Sequence, residues 1–386
     1  MDYDVYKIRQ KFPVTKTLLY LDSGLQNPLS LDVKEGFDIF FEESLTLAGP
    51  KAVWIQRLEK VRKDVADFFG VKATEIAFTK NTSDSVNIFV NAYPFKAGDN
   101  VIMIHGDHPN NTYAFLNLIK RGVDIKFIPM TEVINADSFK DVIDENTKVI
   151  SVSHVTFHAG HKFDIQSIAE FCNEKGIHLL VDAMQSVGVM PLNLKKLGIS
   201  AMACGSHKGL LVPQGLGILY VSEDIIEKLE PVSLAIASIE NFSPDLIATA
   251  DRMMLKPNAG RFEIGNFNLP TIAGLEKALE LINSIGVENL EQYYFSLGDL
   301  LISHLDRLGI SLVGPRNRND RAPHIYVIGL DANEWIPYFE SKNIRVSPER
   351  DGVRISFSMF NTEDDVQQLV TAIEQKIKAQ PNAEVS

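Results

Sequence analysis

The chain has 386 residues, 45% of them hydrophobic and 23% charged, and a formal net charge of −12. This composition suits a soluble globular protein of about two domains, and it disfavours nucleic acid, whose binding needs a basic surface. Two cysteines exclude a disulfide framework, no apolar run reaches the roughly 18 residues of a membrane span, and the amino terminus lacks a signal peptide's apolar stretch, so the expectation is a cytoplasmic location with no membrane partner.

Trp54, Ile55, Leu58, Val61, Val65, Phe68 and Phe69 recur at helical spacing, which predicts an amphipathic helix over residues 53–69. From about residue 75 to 220, short apolar runs alternate with helix-like stretches. Strands are expected at 75–78, 100–104, 124–128, 148–152 and 178–181. Helices are expected at 83–90, 111–119, 138–143 and 165–175, and another strand-like run ends just before Lys208. Near-continuous apolar strands separated by helices indicate a parallel sheet covered on both faces. Ligands bind such sheets beyond the carboxyl ends of the strands. A long helix over 269–285 leads to a second, smaller domain. That domain has strands at 324–328 and 353–357, a helix near 334–341 and a final helix, with Thr362 and Asp365 as a capping-box pair. The tail after Gln380 is expected to fray. Cys172 and Cys204 read as buried small hydrophobes.

The polar residues at the strand ends carry chemistry. Lys208 stands in Ala203-Cys-Gly-Ser-His-Lys-Gly209, and Asp182 in Val181-Asp-Ala-Met-Gln185. A lysine among desolvating or cationic neighbours has a lowered pKa and serves as a nucleophile and base. A carboxylate ending a buried strand needs a cationic partner. Together they point to pyridoxal 5′-phosphate, held by Lys208 as a Schiff base while Asp182 keeps the pyridine nitrogen protonated. The alternatives are a surface lysine and a helix-capping aspartate. Gln185 is placed to reach the ring hydroxyl. Thr82 and Ser83 open a helix and, with Ser206 and His207, form a candidate phosphate cradle; an ordinary N-cap by Thr82 or Ser83 is the other reading. His105 and His108 flank Asp107 after a strand, where a histidine can stack on the ring. No third ligand at a recognisable spacing follows, so no metal is expected. His154, His158 and His161 read as polar lining or surface. Arg354 alternates with apolar residues in Gly352-Val-Arg-Ile-Ser356. Its guanidinium calls for a bidentate carboxylate, from a substrate or from an internal acid.

These residues resemble the class V aminotransferase superfamily of pyridoxal-phosphate enzymes, which holds cysteine desulfurases, selenocysteine lyases, isopenicillin N epimerase-like proteins and aminotransferases. The resemblance runs from Leu19-Tyr-Leu-Asp-Ser-Gly24 to Asn361-Thr362, through Arg261-Phe-Glu-x-Gly265-Asn266 and Val353-Arg-x-Ser-x-x-x-Phe-Asn-Thr362. It implies an α/β, pyridoxal-phosphate-dependent transferase fold. The large domain, residues 20–265, would hold a mostly parallel seven-stranded sheet covered by helices; residues 1–19 and 266–386 would form a smaller α+β domain. It also implies roles. Lys208 is the Schiff-base lysine, Asp182 the partner of the pyridine nitrogen, Gln185 the partner of the ring oxygen, and His108 the stacked ring. Ser83 and His207 bind phosphate with the Thr82 backbone. Asn266 reaches the phosphate of a neighbouring subunit, which implies a homodimer with shared sites. Arg354 holds the α-carboxylate of an amino-acid-like substrate.

Three departures separate the chain from desulfurases. Residues 341–354 contain no cysteine before the arginine, Phe157 stands where an asparagine is frequent, and the phosphate-side serine is Ser206, where desulfurases have it at the position of Gly205. The expected chemistry is removal of the Cα proton of an amine by Lys208, completed as transamination. A C–S β-lyase or an amino-acid epimerase is the alternative, and a non-catalytic binding protein on the same fold a further one.

Overall fold

The computed structural model describes residues 4–242, 245 and 247–379, so the tail after Gln380 lies outside the described residues. Strands Ile76–Thr79, Asn100–Ile104, Asp124–Ile128, Thr147–Ser153, His178–Asp182, Ala201–Gly205 and Gly217–Val221 build one seven-stranded sheet. Across the sheet their order is 76–79, 217–221, 201–205, 178–182, 147–153, 100–104, 124–128. Every pairing is parallel except the two made by Gly217–Val221. The α/β class and the mostly parallel sheet match the expectation. The chain reverses its progress across the sheet between strands 100–104 and 147–153. That is the switch point at which open α/β sheets bind ligands.

Most of the expected elements lie within a few residues of their predicted ends. Helix Ile165–Lys175, for example, starts at the Asp164 cap and stops at Gly176, whose φ of 66° closes it in the left-handed region. The helix expected at 138–143 is instead a short 3-10 turn, Ala136–Phe139. Only Phe139 of that stretch is fully buried, so no apolar stripe holds a longer helix against the sheet. Helix Lys51–Phe69 is tied to the edge strand by a buried ion pair. Arg62 Nη1 lies 2.6 Å from Glu263 Oε1 and donates to the Ile76 carbonyl at 3.1 Å, and Glu263 also accepts the Phe78 N–H at 2.8 Å.

A four-stranded antiparallel sheet follows, in the order Ser347–Glu349, Gly352–Ser356, Ile325–Ile328, Leu312–Val313. Helices Ala332–Ser341 and Glu363–Ala379 accompany it, the latter capped reciprocally. The Thr362 N–H donates to Asp365 at 3.1 Å, and the Asp365 N–H to Thr362 Oγ1 at 3.4 Å. The N-terminal segment links the two sheets. Leu19–Tyr20 pairs in parallel with Ile344–Arg345, Asp22 bridges to Ser356, and the Asn27 N–H donates to the His207 carbonyl at 2.9 Å. Cys172 and Cys204 are both buried. Burial pushes the Cys172 thiol up to about 12 and the Cys204 thiol higher.

Candidate functional site

Strand Ala201–Gly205 delivers Lys208 into a cavity of about 420 Å³ at the carboxyl end of the sheet. Asn27 Nδ2 holds the Lys208 carbonyl at 2.8 Å. Among the described residues the Lys208 amine has no hydrogen-bond or ion-pair partner. Burial, and then the nearby Arg354 charge, lower its pKa to about 8 against the opposing pull of Asp182, Glu349 and Asp22. A substantial fraction of the amine is therefore neutral near physiological pH.

Asp182 ends the adjacent parallel strand and lines the same cavity. It is buried, and Oδ1 accepts the Met184 N–H at 2.9 Å. Burial raises its carboxyl to about 6, with that hydrogen bond opposing. Gln185, also on the cavity wall, donates from Nε2 to the Gly24 carbonyl at 2.9 Å. Its Oε1 is buried without a partner. Such an atom costs free energy unless a donor reaches it, and here it marks a place for a ligand's polar group.

The helix Thr82–Ala92 opens on the cavity. Neither Thr82 nor Ser83 caps it; Asn81 does, accepting the Asp84 N–H at 2.9 Å. Thr82 and Ser83 line the cavity, as does His207, and their backbone N–H groups are among those that helix geometry leaves without intrahelical acceptors. Ser206 does not join them. It is buried and its hydroxyl donates to the Pro213 carbonyl at 3.0 Å, which closes the loop after Lys208. The Thr82 hydroxyl and the Gly205 N–H both point to the Met184 sulfur, at 3.2 and 3.0 Å.

His108 forms another wall. Its Nδ1 accepts the Asn110 N–H at 3.2 Å, and its ring meets Phe157 edge-on at 4.9 Å. Burial, then Lys208, lower its pKa to about 4, so the ring is neutral at physiological pH. Asp107 is buried and accepts from the Ser153 hydroxyl and N–H at 2.6 and 2.9 Å, which fixes the loop across the switch point.

Arg354, on the second sheet, does not line the cavity; it touches the wall residue Phe157 at its carbonyl, and its charged partners are internal acids. Nη1 lies 2.5 Å from Glu349 and 3.1 Å from the Phe157 carbonyl, and Nη2 lies 3.5 Å from Asp22. Asn266 is exposed and does not line the cavity. His158 Nε2 lies 2.7 Å from Asp351, His154 is buried away from the cavity, and His105 packs edge-on against Phe127. The sequence patterns did not single out Asn27, Ser153 or Val155. Asn27 meets Lys208 across 181 positions and Ser153 meets Asp107 across 46, and such contacts leave no local signal.

The cavity thus brings together an amine of lowered pKa, a buried carboxylate, an unpartnered amide oxygen, an open helix start and a neutral imidazole. That donor set fits pyridoxal 5′-phosphate, an aldehyde on a basic ring that also carries a hydroxyl and a phosphate.

Residues 48–369 match the aminotransferase class-V family model. A Schizosaccharomyces pombe protein named as an uncharacterised aminotransferase is 31% identical over 381 residues, covering 97% of this chain and 96% of its own length. A probable cysteine desulfurase of Methanothermobacter thermautotrophicus is 28% identical over 395 residues, with 95% and 97% covered. The apo structure of a cysteine desulfurase from Thermococcus onnurineus NA1 is similar with a TM-score of 0.88 at 26% identity, covering 97% of this chain and 98% of that one.

Proposed function

This chain belongs to the aminotransferase class-V family, whose cofactor is pyridoxal 5′-phosphate, and we propose that it transfers the amino group of an amino acid or related amine. One observation carries the reading: Lys208 and Asp182 line one cavity together with the unpartnered oxygen of Gln185. When bound, the cofactor supplies an aldehyde carbon and an electron-accepting ring. Lys208 would hold the aldehyde and, with its amine free, would take the proton from Cα of the substrate. Asp182 keeps a proton on the ring nitrogen. Gln185 accepts from the ring hydroxyl, and His108 packs on the ring. Thr82, Ser83 and His207 hold the phosphate at the helix start. Arg354 receives the substrate carboxylate. The exposure of Asn266 supports its reaching the phosphate of a second copy, in a homodimer with shared sites. We divide the chain into a cofactor domain of residues 20–265 and a smaller domain of 1–19 with 266–386.

Desulfurase chemistry is disfavoured. A persulfide needs an accessible thiolate near the substrate, yet residues 341–354 lack cysteine and both cysteines of the chain are buried with raised pKa values. The test is to reduce the purified protein with borohydride and map the labelled peptide. On unreduced protein, a panel of amino acids is followed for keto acid, pyruvate and sulfide. A yellow protein labelled at Lys208 that makes keto acid and aminates a second keto acid supports the proposal. Sulfide with pyruvate indicates a C–S lyase, inversion at Cα alone an epimerase, and a chromophore without turnover a binding protein. A colourless protein that ignores added cofactor removes the reading.

A further inference from the structure

Arg354 faces two carboxylates and donates to both. Glu349 is at 2.5 Å and Asp22 at 3.5 Å, and all three side chains are almost fully buried. Both terminal nitrogens of the guanidinium are thus engaged, Nη1 also by the Phe157 carbonyl, and its Nε is buried, so no open fork is left for a third carboxylate. A substrate carboxylate must therefore replace one of the two. Asp22 is fixed: it accepts from the Ser347 hydroxyl at 2.6 Å and belongs to the segment bridged to Ser356. Glu349 ends a short strand that turns back through Arg350 and Asp351 to Gly352. That turn is held by polar contacts at exposed residues, Arg350 to the Gly106 carbonyl at 3.2 Å and Asp351 to His158 at 2.7 Å. Contacts of this kind contribute little to stability and exchange readily with water. The hairpin tip is thus the part that can give way.

We propose that Glu349 is a specificity-determining residue, an internal carboxylate that occupies Arg354 and must be exchanged for the carboxylate of the substrate. This rests on the assignment of Arg354 to the substrate carboxylate. Amines without a carboxylate avoid the exchange, so Glu349 narrows the advantage of amino acids over simple amines.

Two reagents that share an aminooxy group test it on the holoenzyme: aminooxyacetate, which bears a carboxylate, and O-methylhydroxylamine, which does not. In each, the aminooxy nitrogen bonds to the aldehyde carbon and releases the Lys208 amine, which changes the absorbance without turnover. The ratio of their apparent dissociation constants reads the carboxylate site. Glu349→Gln is expected to raise the preference for aminooxyacetate at least about tenfold; its effect on the Lys208 amine is common to both reagents and cancels in the ratio. Glu349→Ser, which also removes the charge, is expected to do the same. An unchanged or smaller preference in both variants overturns the proposal. Adding Arg354→Gln to Glu349→Gln should cancel the gain; a gain that persists places the carboxylate elsewhere and overturns the role of Arg354 as well. A protein that responds to neither reagent overturns the cofactor reading, and the inference with it.

Discussion

The backbone at Gly188 presses against that at Gly209. A Cβ on Gly188 would meet the Gly209 carbonyl oxygen at 2.4 Å, and one on Gly209 the Val187 carbonyl oxygen at 2.0 Å. Gly188 also has φ at 75°, in the left-handed region. This contact clamps the turn after Asp182 and Gln185 to the loop after Lys208. The backbone segments that carry the carboxylate and the amine are therefore held against each other by main chain on main chain.

Gly209→Ala should accordingly act on the site as well as on the fold. The methyl group has no room, and overpacking of this kind costs about 1–3 kcal/mol. The relief is a shift of the Lys208 loop, so affinity for pyridoxal phosphate should fall at least about tenfold. Absorbance titration of the apo-protein with the cofactor, alongside thermal unfolding, measures both. Wild-type affinity in a folded variant would show that the contact does not position Lys208.

The pKa of about 8 for Lys208 predicts a pH profile. Only the neutral amine attacks an aldehyde, so the rate of cofactor capture by the apo-protein should rise with pH and level off above about 8, well below the ordinary lysine value near 10.4. Stopped-flow absorbance reads the rate. Lys208→Ala should still bind the cofactor noncovalently, while turnover falls at least about a hundredfold. A profile that climbs to the ordinary lysine range would mean that the amine is not desolvated.

Much of this site is legible in the sequence, because strands buried on both faces read as apolar runs and ligand groups collect at their ends. Lys208, Asp182, Gln185, His108, Thr82, Ser83 and His207 all line the cavity as that rule implies. Side-chain direction is not legible in the same way. Ser206 looks equivalent to His207 along the chain, yet its hydroxyl turns away to the Pro213 carbonyl. The alternation around Arg354 shows that the guanidinium is buried, but Glu349 becomes its partner only through a hairpin whose register no local pattern states. Asn27 reaches Lys208 from 181 positions away. The helix starts at Thr82, one residue before the expected 83, and Asn81 caps it; Asn81, Thr82 and Ser83 are all good capping residues, and only the backbone selects Asn81.

Glu263 is a structural residue in a motif that reads as functional. Its carboxylate accepts from Arg62 and from the Phe78 N–H, all buried. Glu263→Gln keeps one acceptor oxygen but sets an amide N–H₂ against the guanidinium. Removing one partner of a buried pair costs about 3–5 kcal/mol, and Glu59, which remains on Arg62 from an exposed position, should limit the loss to about 3 kcal/mol. Denaturant unfolding measures it. The variant should retain the cofactor spectrum, because Arg62 and Glu263 do not line the cavity. Loss of the spectrum in folded protein would assign Glu263 to the site.

Asp182 should show the opposite balance between stability and function. Its folded pKa, about 6, lies above the unfolded value of 3.8, so its contribution to stability is full below the unfolded value and is lost as pH rises through about 6. At neutral pH the apo-protein therefore carries a buried, unpaired charge. Asp182→Asn keeps the shape and the acceptor for the Met184 N–H but removes that charge. The apo-variant should be more stable than wild type by about 3 kcal/mol near pH 7.5, and the difference should close as pH falls below about 4. Saturating pyridoxal phosphate should reverse the order, because a cationic ring nitrogen supplies the missing partner to the aspartate and nothing comparable to the asparagine. Thermal unfolding with and without cofactor at the two pH values decides it. If the variant gains as much from the cofactor as the wild type does, Asp182 does not face the ring nitrogen.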